Sequence, residues 1–131
     1  MKVLLADDSD LILDRLRDLL ETHKQVKIIA SLKNGAEALE AINVLKPDLA
    51  IIDIEMPGLT GLEVIREIRK TDNSVKFIIL SFYGSDYYRQ LSILSGADYF
   101  FSKADDFDKV FQVVERMLHG AENFTKYKWQ I

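Results

Sequence analysis

Asp7 and Asp8 follow the apolar run KVLLA (2–6), Asp53 closes DLAIID (48–53), Ser81 closes KFIILS (76–81) and Lys103 follows DYFFS (98–102). Each stands where a short hydrophobic run gives out. Three carboxylates gathered about 5 Å apart would repel by roughly 3 kcal/mol per pair at an effective dielectric near 20. The sum, on the order of 10 kcal/mol, rivals the whole net stability of a small domain. Either a carboxyl protonates or a cation sits among them. Oxygen donors with no His or Cys nearby select a hard ion, and Mg²⁺ is the one expected. A carboxylate beside Mg²⁺, a hydroxyl and an ammonium suits phosphoryl transfer. Metal and Lys103 neutralise the equatorial oxygens, Ser81 donates a hydrogen bond, and Asp53 attacks in line to give an acyl phosphate.

Taken singly, these residues have plainer readings. An Asp ending a strand is commonly a turn residue, and the Asp7-Asp8 pair precedes a helical pattern that it, Ser9 or Asp10 could cap. Ser81 and Lys103 alone would pass for a loop hydroxyl and a solvated charge. Their joint placement at strand ends favours the chemical reading.

That placement depends on the elements between them. Residues 2–6, 26–31, 48–53, 76–81 and 98–102 read as strands by length and by β-branched and aromatic content. Helical spacing sets Leu11, Ile12, Leu16, Leu19 and Leu20 on one face of 10–22, and Ala38, Leu39, Ile42 and Leu45 on one face of 36–45. It recurs in Leu62, Val64, Ile65 and Ile68, in Tyr87, Leu91 and Leu94, and in Val110, Phe111, Val114 and Leu118. Pro47, Pro57-Gly58 and Gly96 punctuate the segments. Strands apolar along their whole length suit a parallel sheet covered on both faces, joined by right-handed helical crossovers. The expected fold is α/β: one doubly wound five-stranded parallel sheet flanked by five helices. Such sheets bind ligands outside the carboxyl ends of their strands, where the strand order reverses. With the first and third strands adjacent there, Asp7, Asp8 and Asp53 meet.

Composition narrows the classes further. The 131 residues are 48% hydrophobic and 29% charged with a net charge of -4, which suits one globular domain and argues against a general nucleic-acid binder. Cysteine is absent, and His23 and His119 lie far apart, so neither disulfides nor a soft metal site is expected. No run reaches the roughly 18 apolar residues of a membrane span, and the start MKVLLADDSD lacks the apolar core of a signal peptide. A cytoplasmic location is expected. The domain is placed at 1–120, with AENFTKYKWQI (121–131) as a C-terminal tail or linker stub. Its Phe124, Tyr127 and Trp129 suit packing onto the domain first, with contact to a partner or a place in a linker stub as the alternatives.

ADDSD, DIEMPGLTG and GADYFFSK, in that order and at these spacings, resemble the motifs of a CheY-like receiver domain of two-component response regulators. The resemblance covers about residues 1–119. It implies the flavodoxin-like strand order 2-1-3-4-5, a family arrangement already known for this fold. It implies Asp53 as phosphoacceptor, supplied by a sensor histidine kinase or a histidine phosphotransfer protein. Asp8 and Asp53 would bind Mg²⁺ directly, Asp7 through a metal-bound water, and the backbone carbonyl of Glu55 would complete the protein ligands. Ser81 and Lys103 would contact the phosphoryl oxygens. Phe100, three residues before Lys103, would rotate inward as Ser81 moves, with Tyr99 on the other face.

The readout implied is the surface of the fourth helix, fifth strand and fifth helix, roughly 86–119. It would address a downstream protein target or an output domain, with homodimerisation as a further possibility. Tyr87, Tyr88 and Arg89 begin that surface. No direct nucleic-acid or membrane contact by this domain is implied, and no turnover enzyme. A stand-alone or excised receiver is expected.

Two departures stand out. Ala104 follows the lysine where the family often has proline, which leaves the ordering of that loop open. Bulky Phe82 follows Ser81 where a small residue is common, so a longer-lived acyl phosphate is expected, with Glu55 and Tyr83 also influencing hydrolysis. The alternatives are a receiver-like scaffold that binds partners without phosphorylation and, less favoured, a Mg²⁺-dependent phosphatase. The latter would lack a second motif and a substrate cap. A flavin-binding protein is disfavoured because DDSD would repel its phosphate.

Overall fold

The computed structural model describes residues 1–82 and 84–119. Along them run β1 (Lys2–Ala6), α1 (Asp10–Leu20), β2 (Lys27–Leu32), α2 (Gly35–Leu45), β3 (Leu49–Ile52), α3 (Gly61–Arg69), β4 (Lys76–Ser81), α4 (Asp86–Ser95), β5 (Tyr99–Ser102) and α5 (Phe107–Leu118). The strands make one parallel sheet in the order β2-β1-β3-β4-β5, the doubly wound α/β fold expected. Tyr83 and the segment 121–131, with Phe124, Tyr127 and Trp129, lie outside the described residues.

Alternation along each strand splits the core in two. Val3, Leu5, Ile51, Ile78, Leu80 and Phe101 pack with Leu16 of α1 and Val110 and Val114 of α5. Leu4, Ala6, Ile52, Phe77, Ile79 and Phe100 pack on the opposite face with Ile42 of α2 and Val64, Ile65 and Ile68 of α3. Burial on both faces accounts for strands that are apolar throughout.

Local chemistry sets the helix starts. Ser9, Asn34, Thr60 and Ser85 each accept a hydrogen bond from a backbone N–H in the first turn, and Thr60 with Glu63 closes a capping box. At the other end of α4, Gly96 adopts φ 111°, a left-handed cap that suits glycine.

The helical faces differ from expectation in three places, the mildest being Leu45 at the end of α2, which is exposed rather than covered with Ala38 and Ile42. Leu11 is 77% exposed, and Leu13 takes its place beside Ile12, Leu16 and Leu20. On α4, Tyr87 and Leu94 are exposed while Ser92 and Ser95 turn inward. Each serine hydroxyl donates to the carbonyl four residues back, Tyr88 and Leu91 respectively, at 2.7 Å. Burial therefore leaves neither of these two serine hydroxyls unpaired. Apolar spacing in so short a helix marks more than one face, and the neighbouring elements decide which is covered. Among the described residues, no helix is long and apolar enough to cross a membrane.

Candidate functional site

The sheet ladder carries the acids to its carboxyl edge. Ala6 pairs with Ile52, so the residues that follow, Asp7 and Asp53, emerge side by side. The Asp7 N–H donates to the Leu32 carbonyl at 3.0 Å, and the Asp53 N–H to the Ala6 carbonyl at 2.9 Å, which extends the pairing past the strands. Asp7 Oδ1 also accepts the Ser9 N–H at 2.9 Å, a side-chain turn that launches α1. Ser81 and Ser102 face each other at the ends of β4 and β5. The Lys103 N–H then donates to the Ser81 carbonyl at 2.9 Å.

Carboxylate oxygens of Asp7, Asp8 and Asp53 all lie within 4.8 Å of one another, with Asp7 and Asp53 buried and Asp8 exposed. Lys103 Nζ sits 2.6 Å from Asp7 Oδ2 and 3.2 Å from Asp53 Oδ2, and its side chain is almost wholly buried. Burial pushes the Asp53 carboxyl up from 3.8 to about 6, and the charge of Asp7 pushes the same way. The charge and hydrogen bond of Lys103, with a backbone hydrogen bond from Glu55, pull it part of the way back. An all-oxygen donor set, crowded and short of positive charge, fits Mg²⁺.

A cleft of about 240 Å³ opens onto the cluster between Asp8, Ser9, Asp53, Glu55, Phe82 and Lys103. A neighbouring cleft of about 330 Å³ runs on from Asp8 and Glu55 past Met56, Pro57 and Thr60. Glu55 is thus at the rim, and Ser81 is fully buried at the end of β4. Phe82 is 67% exposed at the mouth, its ring centroid 5.3 Å from Lys103 Nζ. Phe100 is buried among Ile52, Ile79 and Tyr88, while Tyr99 joins the other core. The Arg89 guanidinium lies over the Phe100 ring, 5.1 Å from its centroid.

Two supporting residues carried no assigned role in the sequence. A Cβ on Gly61 would come within 2.2 Å of the Asp53 carbonyl oxygen, so the start of α3 can press against the strand end only with glycine there. Asp106 Oδ2 accepts the Ser102 N–H at 2.9 Å, beside Lys103. The terminal glycine of DIEMPGLTG was a usable signal for the first, whereas nothing local announces the second.

A doubly wound sheet with three carboxylates and a buried lysine at its carboxyl edge defines a class of acidic-pocket α/β domains. Residues 3–115 match the family model for the response regulator receiver domain, and the chain belongs to that family. It is therefore a receiver domain of two-component signalling. The DNA-binding transcriptional activator EvgA of Escherichia coli strain K12 is 31% identical over 120 residues, 92% of this chain and 58% of that protein. The transcriptional regulatory protein YvfU of Bacillus subtilis is 31% identical over 125 residues, 95% of this chain and 62% of that protein. The chain thus spans about three-fifths of the length of these relatives. A DNA-binding response regulator of the LuxR family from Staphylococcus aureus superposes with a TM-score of 0.81 at 29% identity, over 87% of this chain and 95% of that one. The response regulator domain of Thermotoga maritima CheB gives 0.79 at 28% identity, over 92% and 95%.

Proposed function

We propose that this receiver accepts a phosphoryl group on Asp53 from a phosphohistidine of a sensor kinase or phosphotransfer protein. The observation that carries the reading is the juxtaposition of Asp53 with Asp7, Asp8 and Lys103 at the foot of an open cleft. An Asp53 oxygen attacks phosphorus in line as the P–N bond breaks. The histidine nitrogen leaves with the electron pair, and an acyl phosphate remains. Asp7, Asp8, Asp53 and the backbone carbonyl of Glu55 would hold Mg²⁺, which when bound supplies charge neutralisation for the phosphoryl oxygens. Lys103 pairs with one of these oxygens and the Ser81 hydroxyl donates to another. The chain is a phosphoacceptor, not a turnover enzyme.

The added charge draws Ser81 and Lys103 toward Asp53, and Phe100, already buried in this structure, holds the inward position that goes with that movement, so that the face of α4, β5 and α5 is reshaped. Moving such an equilibrium from 1:99 to 99:1 takes about 5.5 kcal/mol, within reach of a few charge-assisted hydrogen bonds made in one state only. Exposed Tyr87, Ile93 and Leu94 give α4 an apolar contact surface. The partner is a downstream protein, an output domain or a second copy of the chain. DNA-binding relatives support an output in transcription. In this reading residues 1–120 form the receiver and 121–131 a tail or linker, acting in the cytoplasm.

Incubation with Mg²⁺ and acetyl phosphate tests it. An added phosphoryl mass is expected in the wild type and absent in Asp53→Asn. No labelling under any condition points to a silent scaffold, and turnover of many monoesters to a phosphatase; either result overturns the proposal.

A further inference from the structure

We infer that Asp106, acting with Ser102, is a positioning residue that aims Lys103 at the two buried carboxylates. This role rests on the phosphoacceptor reading above. Lysine has four rotatable side-chain bonds, so where its ammonium points depends on how firmly its backbone is held. On the upstream side, β4–β5 pairing ends with Ser81 opposite Ser102 and with the Lys103 N–H on the Ser81 carbonyl. On the downstream side stands Ala104, with its φ unrestrained by a proline ring. The described residues contain no cis peptide bond.

The loop is closed by other means. The Asp106 N–H donates to the Ser102 carbonyl at 3.0 Å, and the Ser102 N–H donates to Asp106 Oδ2 at 2.9 Å. The two residues therefore exchange hydrogen bonds across the turn that contains Lys103. Within it, the Ala104 N–H donates to Ser102 Oγ at 3.1 Å. Asp106 Oδ1 is steadied by Lys109 Nζ at 3.3 Å.

The behaviour of Asp106 as a helix cap singles it out. It occupies the N-cap of α5, a position where aspartate ordinarily accepts a first-turn N–H, yet it makes no side-chain cap hydrogen bond. Its carboxylate is turned back onto the strand end instead. Ser9, Asn34, Thr60 and Ser85 all cap their own helices. The Asp106 carboxylate secures the Phe101–Ser102 peptide and its backbone N–H the Ser102–Lys103 peptide, so both sides of Ser102 are fixed just ahead of Lys103, whose ammonium is held between Asp7 and Asp53.

A double-mutant cycle tests the assignment, with Asp53 labelling by acetyl phosphate at saturating Mg²⁺ as one readout. A second readout is the Lys103 ammonium resonance of the metal-free protein. Misplacing a catalytic contact by about 1 Å can slow a reaction up to about a hundredfold. Asp106→Ala is expected to slow labelling by about tenfold or more and to broaden the Lys103 signal. Asp106→Asn, which keeps an acceptor oxygen, should restore most of both. In a Lys103→Met background, adding Asp106→Ala should change the labelling rate no further. Wild-type labelling by Asp106→Ala, or an equal slowing with and without Lys103, overturns the positioning role. Should Asp106→Ala fail to fold, Asp106→Glu supplies the same comparison, since its longer arm misplaces the acceptor. A wild type that never labels sinks the phosphoacceptor reading itself; a labelling wild type with an additive cycle sinks this inference alone.

Discussion

Lys103 leans on Asp7 more closely than on Asp53, with Nζ 2.6 Å from one carboxylate and 3.2 Å from the other. The ammonium thus neutralises the deeper acid best and leaves Asp53 the less compensated of the pair. Its raised pKa of about 6 follows from burial first and the charge of Asp7 second.

That shift has a signature in stability. In metal-free protein, folded Asp53 keeps its proton up to about pH 6, whereas the unfolded chain releases it near 3.8. The folded state binds more protons between these values, so stability falls as pH rises through that window and stays lower above it. Asp53→Asn removes the titration. The variant should exceed the wild type by about 1–3 kcal/mol at pH 7.5, with the gap closing toward pH 4. Denaturant unfolding in a chelator at the two pH values measures it, and Mg²⁺ should narrow the gap at pH 7.5.

Phe82 stands at the cleft mouth with its ring beside the Lys103 ammonium. Trimming it to alanine opens the path for water to an acyl phosphate on Asp53. Phe82→Ala should dephosphorylate faster, by about threefold or more if the lost shielding is worth at least ~0.7 kcal/mol. Decay of the phosphorylated mass after donor removal gives the rate; an unchanged or slower decay refutes the shielding role.

Gly61 lets α3 start against the Asp53 carbonyl, and the atom that an added methyl would meet first is backbone rather than a flexible side chain. Gly61→Ala should therefore destabilise the fold by about 1–3 kcal/mol and displace the Asp53 peptide. Denaturant unfolding checks the first effect, and a loss of labelling at Asp53 in protein that remains folded checks the second.

Leu94 and Ile65 separate surface from core. Leu94 is 83% exposed and Ile65 fully buried. Leu94→Ser should alter stability by less than about 0.5 kcal/mol, while Ile65→Ala should cost about 2–5 kcal/mol. Thermal unfolding compares the two. A large loss from Leu94→Ser would mean that α4 is covered by another part of the molecule.

The primary chain by itself determined the alternation of strands and helices, because fully buried parallel strands need continuous apolar runs such as LAII and FIIL. It also placed Asp7, Asp8, Asp53, Ser81 and Lys103 at the carboxyl ends of those runs. What it left undecided was which face of a short helix is covered. Leu11 and Leu94 match an apolar period yet face outward, while Ser92 and Ser95 go inside with their hydroxyls bonded along the helix. Only the tertiary structure set Lys103 between Asp7 and Asp53, and only there does Asp106 appear turned to Ser102 instead of its own helix. The physical reason is one of range. Element type and backbone capping follow from residues a few positions apart, whereas the covered face of each helix and the balance of charge in the cleft depend on strand order and register, which join residues from opposite ends of the chain.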